Sequence, residues 1–168
     1  LTVTPEPKMD PVSLTLSVVG DCTLGTDEYF DYDTSLNAYY ENYGADYFMA
    51  NVKSIFSKDD LTIANFEGTL TESTEREVKQ FAFKAPASYA NILTAGSVEA
   101  VNTANNHSHD YGEESFNDTL KALDTANILH FGYDETAVTE VKGVKVGLVG
   151  IYELNDHLGR EEQLKQKK

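Results

Sequence analysis

A single cysteine, Cys22, stands in this 168-residue chain, which excludes an internal disulfide framework and a zinc site built from thiolates. Basic residues are scarce too: 13 Lys and Arg face 28 Asp and Glu, a formal charge of −15. Duplex binding draws on clustered Lys and Arg to displace counterions, so no nucleic-acid partner is expected. No run of about 18 apolar residues occurs, and with it goes the signal of a transmembrane helix. Of four prolines, three (Pro5, Pro7 and Pro11) crowd into the opening LTVTPEPKMDP, which also lacks an initiator Met. Residues 1–12 therefore read as a linker left after removal of something upstream, in a trimmed or mature exported chain. The phosphate-binding loop ending in Gly-Lys-Ser/Thr and the Gly-x-Ser-x-Gly elbow are both missing.

What remains is a well-supplied core. With 40% hydrophobic residues, residues 13–168 suffice for one domain. Leu14–Val19 reads as a strand that stops at Gly20-Asp21, and Leu61–Ala64 as another that stops at Asn65-Phe66-Glu67-Gly68. Between them Phe48, Val52, Ile55 and Phe56 recur at helical spacing, which predicts a helix over 45–58. Residues 71–79 are charged or hydroxylated and read as an exposed loop, followed by an edge or inserted strand at Phe81-Ala82-Phe83. Pro86 suits the first turn of a helix ending at Gly96. A strand over 98–104 leads to Asn105-Asn106-His107-Ser108-His109-Asp110-Tyr111-Gly112, and a helix from about Glu113 carries Phe116, Leu120 and Leu123. Strands at 128–131 and 144–151 follow, then a polar tail over 153–168 that reads as a surface helix or frayed. Strands alternating with helices give an α/β class, with polar clusters at strand C-termini where such sheets place ligands.

Three clusters carry the chemistry: Asp21, Asn65 with Glu67, and Asn106-His107 with His109 and Asp110. Carboxylate, amide and imidazole converging from separate loops is the donor mixture of a divalent-cation site for phosphate chemistry. The plainer alternative is that Asp and Asn after strands cap turns and helices. His107 and His109 are the candidates to move protons, with His109 and Asp110 alternatively orienting His107. His130, in an apolar strand, reads as core, and His157 as solvated. Cys22 is no nucleophile, because the adjacent Asp21 raises a thiol pKa. Tyrosines between Tyr29 and Tyr47 either stack sugars, line a groove or pack amphipathically.

The order Gly20-Asp21-x-x-Leu24-Gly25, Ala64-Asn65-Phe66-Glu67-Gly68-Thr69-Leu70-Thr71 and Ala104-Asn105-Asn106-His107-x-x-Asp110-Tyr111-Gly112 resembles the capsule-synthesis CapA family. These are bacterial poly-γ-glutamate capsule proteins related to calcineurin-like metallophosphoesterases. Phe81–Pro86 and Gly143–Gly147 are similar as well, so the likeness runs from Leu14 to Tyr152. The resemblance implies a sandwich of two β-sheets flanked by helices, with a divalent metal (Mn, Zn or Fe) held by Asp21, Asn65, Glu67, Asn106 and His107. It further implies catalysis by His107, His109 and Asp110 on an anionic polymer or phosphorylated substrate, or else a non-catalytic polymer-binding or assembly module. Membrane capsule-synthesis subunits would be partners, with self-association through open strand edges, at an extracellular, membrane-anchored location. Two positions depart from ordinary metallophosphoesterases: Thr23 replaces a first-motif His, and Asn65-x-Glu67 replaces Gly-Asp. The His-Trp-Gly and Gly-His-x-x-His segments of family members do not occur in this chain.

Overall fold

A computed structural model describes residues 11–153. Strand β1 (Leu16–Thr23) is followed by a 3-10 turn (Tyr32–Thr34), helix α1 (Leu36–Tyr43), a second 3-10 turn (Ala45–Tyr47) and the single-turn helix α2 (Lys53–Phe56). Next come β2 (Leu61–Glu67), β3 (Thr69–Leu70) and β4 (Lys84–Ala85), then a 3-10 turn (Ala87–Ala90) running into α3 (Asn91–Ala95). β5 (Ala100–Asn102), α4 (Gly112–Thr125), β6 (Leu129–Phe131), β7 (Thr136–Val141) and β8 (Val144–Val149) complete the order.

β1, β2, β5 and β6 form one parallel sheet in that order, β3 pairs with β4, and β7 with β8 makes an antiparallel hairpin. Because strand side chains alternate, each face of the sheet collects its own set. Val19, Cys22, Ala64, Phe66 and Val101 face the helices, packing with Ile92 and Leu93 of α3 and Leu123 of α4. Leu61, Ile63, Ala100 and Phe131 face the other way, where Ala137 and Leu148 of the hairpin cover them. The α/β class with a helix-flanked parallel sheet is thus established; among the described residues the second layer is the two-stranded hairpin.

Several elements differ from the sequence reading. β1 and β2 run on through Asp21 and Glu67 instead of stopping before them, so these acids sit on strands. The helix anticipated over 45–58 is broken, since Tyr47 stacks on Tyr43 at 4.7 Å while Phe48 and Met49 turn into the core, and backbone bonds there close mostly over three residues. α1 was hidden by its lack of apolar periodicity, yet Ser35 caps it by accepting the Ala38 N–H, and Gly44 ends it at φ 73°. Phe81-Ala82-Phe83 forms no strand; the short strand is Lys84–Ala85, with the Phe83 carbonyl just before it accepting the Thr69 N–H of β3 at 3.0 Å. α4 buries Ser115, Thr119, Ala122 and Leu123, a face rotated from the Phe116–Leu120 stripe. The reason is polar: the Thr119 hydroxyl accepts the Leu70 N–H at 2.8 Å and satisfies a donor that β3 leaves free inside the core. His130 is half-buried and lies beside Asp124 and Glu135, not in the apolar core. His157 and the tail beyond residue 153 lie outside the described residues, as do residues 1–10.

Leu123 is fully enclosed where α4 meets the sheet. Leu123→Ala should lower unfolding free energy by about 3 kcal/mol, read from urea denaturation with an unchanged m-value.

Candidate functional site

A bulge in β1 builds the site. Val18 stands opposite Ile63 and Asp21 opposite Asn65, so Val19 and Gly20 together face the single residue Ala64. Without the extra residue Gly20 would oppose Asn65, and Asp21 would point into the helix-side core. With it, Asp21, Thr23, Asn65, Glu67 and Asn102 share one face at the C-terminal end of the sheet. Below them the same face is apolar, so the polar residues form the upper rim of a hydrophobic layer.

Asn65 binds this rim together. Its Nδ2 donates to Asp21 Oδ1 at 2.8 Å and to Glu67 Oε1 at 3.5 Å, and its Oδ1 accepts from Asn102 Nδ2 at 2.9 Å and Asn105 Nδ2 at 3.3 Å. Thr23, in the place of a His, donates its hydroxyl to Glu67 Oε2 at 3.4 Å. Burial and the neighbouring Asp21 charge push the Glu67 carboxyl up, against the pull of His107 and the Thr23 hydroxyl. The Asn105–Asn65 bond places the third cluster beside the first two. Gly150, after the hairpin, closes the rim: a Cβ there would collide with Asn102 Oδ1.

The loop after β5 brings His107. Asn105 donates Nδ2 to the Phe66 carbonyl at 2.7 Å and accepts the His107 N–H at 2.9 Å, tying this loop to β2. Asp110 is fully buried. Its Oδ2 lies 2.9 Å from His107 Nδ1 and accepts the Phe83 N–H at 2.6 Å, while Oδ1 accepts Lys79 Nζ at 2.5 Å. A carboxylate on one ring nitrogen fixes the imidazole orientation and directs the other nitrogen outward. Lys79 also donates to the Asn106 carbonyl at 2.6 Å.

A second buried carboxylate, Asp27, repeats the pattern. It accepts the N–H groups of Ala82 and Tyr29 at 2.7 and 2.9 Å and Arg76 Nη2 at 2.8 Å. Burial alone would raise its pKa, but these two N–H groups and the guanidinium outweigh burial and hold it below the ordinary carboxylate range. Residues 71–79, read from sequence as an exposed loop, are a loop with Glu72, Thr74, Glu75, Glu77 and Val78 exposed, but Arg76 and Lys79 pin it, together with residues 80–83, as a strap beside the site.

Structure therefore brings Asp21, Asn65 and Glu67 together, and His107 with Asp110 beside them. Asn106 is exposed, with its carbonyl taken by Lys79. His109 turns to Phe116, stacked at 4.5 Å, and to Glu113, with Nε2 3.3 Å from the carboxylate. Cys22 is partly buried, and burial first and Asp21 second push its thiol up. Sequence reading missed Asn102, Lys79 and Asp27. Asn102 was legible by strand alternation two residues beyond Ala100, whereas nothing local marked Lys79 or Asp27, whose partners lie 31 and 49 residues away. The donor chemistry of Asp21, Glu67 and His107 suits a divalent cation: like-charged oxygens held side by side, with an imidazole oriented by a carboxylate. Their spacing does not enclose one, since among the described residues no three His, Cys, Asp or Glu side chains gather closely enough to hold an ion.

Acids, amides and an oriented His thus gather at the carboxyl ends of a parallel sheet, where α/β domains place their ligands. Residues 15–168 match the family model described as Bacterial capsule synthesis protein PGA_cap, and the chain belongs to that family. It is 24% identical over 159 residues to "Capsule biosynthesis protein CapA" of Bacillus anthracis, covering 88% of this chain and 37% of that protein. It is 27% identical over 152 residues to "PGA biosynthesis protein CapA" of Bacillus subtilis (strain 168), covering 84% of this chain and 38% of that one. The chain thus spans less than two fifths of these relatives' length.

Removing the charge from Asp110 strands Lys79 and the Phe83 N–H around a neutral amide. Asp110→Asn should cost about 3 to 5 kcal/mol in chemical denaturation. For Asp27 the folded state disfavours the proton, so the unfolded chain binds more. The stabilisation is complete above the ordinary carboxylate range of the unfolded chain and is lost as pH falls through the lowered value of the folded one. Urea midpoints of wild type and Asp27→Asn should differ at about pH 6 and converge toward about pH 2; a gap that persists in acid would refute the assignment.

Proposed function

We propose that this domain serves the synthesis or export of a poly-γ-glutamate-type capsule polymer outside the cell, beside membrane capsule-synthesis subunits, with the strand-end cluster as the place where the anionic polymer or a phosphorylated group is engaged. The observation that carries this reading is the Asp110–His107 pair at 2.9 Å, which fixes an imidazole on the loop that Asn105 ties to Asn65 of the Asp21–Asn65–Glu67 rim at 3.3 Å. Among the described residues no helix is long and apolar enough to cross a membrane; the extracellular setting is drawn from the family and its polymer. The hairpin β7–β8 is read as the start of the second sheet of a metallophosphoesterase-like sandwich.

In this reading Asp21, Glu67 and His107 would meet a divalent cation (Mn, Zn or Fe), with Asn65 and Asn106 at its margin. Such a cation, when bound, would offset the acidic rim and polarise a phosphoryl or carboxylate oxygen. His107 holds or passes a proton at Nε2, and Asp110 steadies it through Nδ1. Asn65 sets the separation of the two acids. A second reading, a non-catalytic polymer-binding module, draws on the same amide: Asn65 already spends its Nδ2 on both carboxylates and its Oδ1 on Asn102 and Asn105.

Calorimetric titration of Mn²⁺ should give heat with the wild-type chain and none with His107→Ala, while Asp110→Asn weakens binding about tenfold or more. Anisotropy of a labelled poly-γ-glutamate oligomer should rise on adding the chain, more so with Mn²⁺. Heat without a polymer response would remove the capsule-polymer assignment, and a polymer response independent of Mn²⁺ and without heat would select the binding-module reading.

A further inference from the structure

Three phenyl rings extend the site sideways. Phe83 packs against the His107 imidazole with centroids 4.8 Å apart, Phe81 lies parallel to Phe83 at 6.4 Å, and Phe30 meets both edge-on at 5.9 and 6.3 Å. Phe81 and Phe30 are 42% and 47% exposed. Large aromatic side chains at the surface of an otherwise acidic domain are costly unless something covers them.

The same two buried carboxylates hold this arrangement. Asp110 accepts the Phe83 N–H and faces His107 Nδ1, so one side chain locks ring and imidazole to each other. Asp27 accepts the N–H groups of Ala82 and Tyr29, so the other locks the Phe81–Phe83 backbone to the loop that carries Phe30. The wall is built in advance and is continuous with the candidate site. What it offers is apolar area beginning where the imidazole ends.

The geometry points to Phe30, Phe81 and Phe83 as the specificity wall of the site, selecting an anionic ligand whose charges are separated by aliphatic carbon, so that methylene groups lie on the rings while a charged group reaches His107. This inference rests on the reading of the domain as a capsule-polymer protein and narrows it. A γ-linked glutamyl chain places two methylene groups in each repeat of its backbone, beside a free carboxylate. It therefore matches an apolar wall next to a polar rim. The basic residues of the strap and of β4 after it are already committed: Arg76 to Asp27, Lys79 to Asp110, and Lys84 to the Ser73 carbonyl and the Tyr111 ring. None of these cations is free to draw a polyanion to this face, and the Asp21 and Glu67 carboxylates of the rim repel one unless a cation is held there, so the rings discriminate by shape and apolarity.

The test uses a labelled poly-γ-glutamate oligomer and anisotropy with the whole chain, in the presence of Mn²⁺. Phe81→Ser should weaken binding about five- to tenfold, whereas Phe81→Leu, which keeps the apolar area, stays within about twofold of wild type. Unfolding midpoints of both variants should match wild type, since the ring is half-exposed. Apolar contact is not screened, so the Phe81→Ser deficit should persist at high salt while the His107→Ala deficit shrinks. Wild-type binding with Phe81→Ser equally tight, a deficit that salt abolishes, or Phe81→Leu as weak as Phe81→Ser would each overturn the wall and leave the capsule-polymer reading standing. Absence of wild-type binding would overturn that reading and the wall with it. Sedimentation showing a wild-type dimer that Phe81→Ser converts to a monomer would instead assign the rings to a second copy of the chain.

Discussion

A carboxylate with no exposed surface must be matched by donors or it destabilises the fold. Asp110 meets that demand by drawing together two pieces of chain, the loop after β5 that carries His107 and the strap before β4. Lys79 supplies the charge, Phe83 a backbone N–H, and His107 its Nδ1. The orientation of the imidazole, the path of the strap and the contact between Phe83 and His107 are therefore consequences of one buried charge. Asp27 has the same role farther from the imidazole, with Arg76 as its cation.

The acidic half of the site depends on a different constraint, the parity of a strand. One additional residue in β1 decides whether Asp21 joins Asn65 and Glu67 or points into the helix-side core. Once there, the two acids repel, and the Asn65 amide stands between them. Its Nδ2 points at both carboxylates because its Oδ1 is occupied by Asn102 and Asn105. The neutral amide network thereby fixes the spacing of two like charges.

Much of this was legible in the sequence, and the illegible portions share a cause. Strand-then-polar-cluster, repeated three times, correctly located Asp21, Asn65, Glu67 and His107 at one end of a parallel sheet, because hydrophobic runs and their terminations are local signals. The extension of β1 through Asp21 was not legible, since Gly20 and Asp21 are poor strand formers whose pairing with β2 overrides propensity. The 45–58 helix failed because apolar recurrence at helical spacing does not reveal that Tyr47 will stack on Tyr43. The strap looked like a solvated loop because its charges were counted without partners, and those partners, Asp27 and Asp110, lie outside it in the chain. The buried Ser115–Thr119 face of α4 is the same lesson inverted: a polar residue was drawn inward by the backbone N–H of Leu70.

The two staples of the strap fall on opposite sides of its tip. Arg76 is tied to Asp27 before Val78, and Lys79 to Asp110 after it, while Val78 itself is wholly exposed. A chain cut by a protease at that tip would leave each new end anchored by its own ion pair, with Phe81, Phe83 and His107 still held in place. The most accessible point of the site is thus also its most dispensable bond: a peptide could be inserted or a label attached there without the two halves parting.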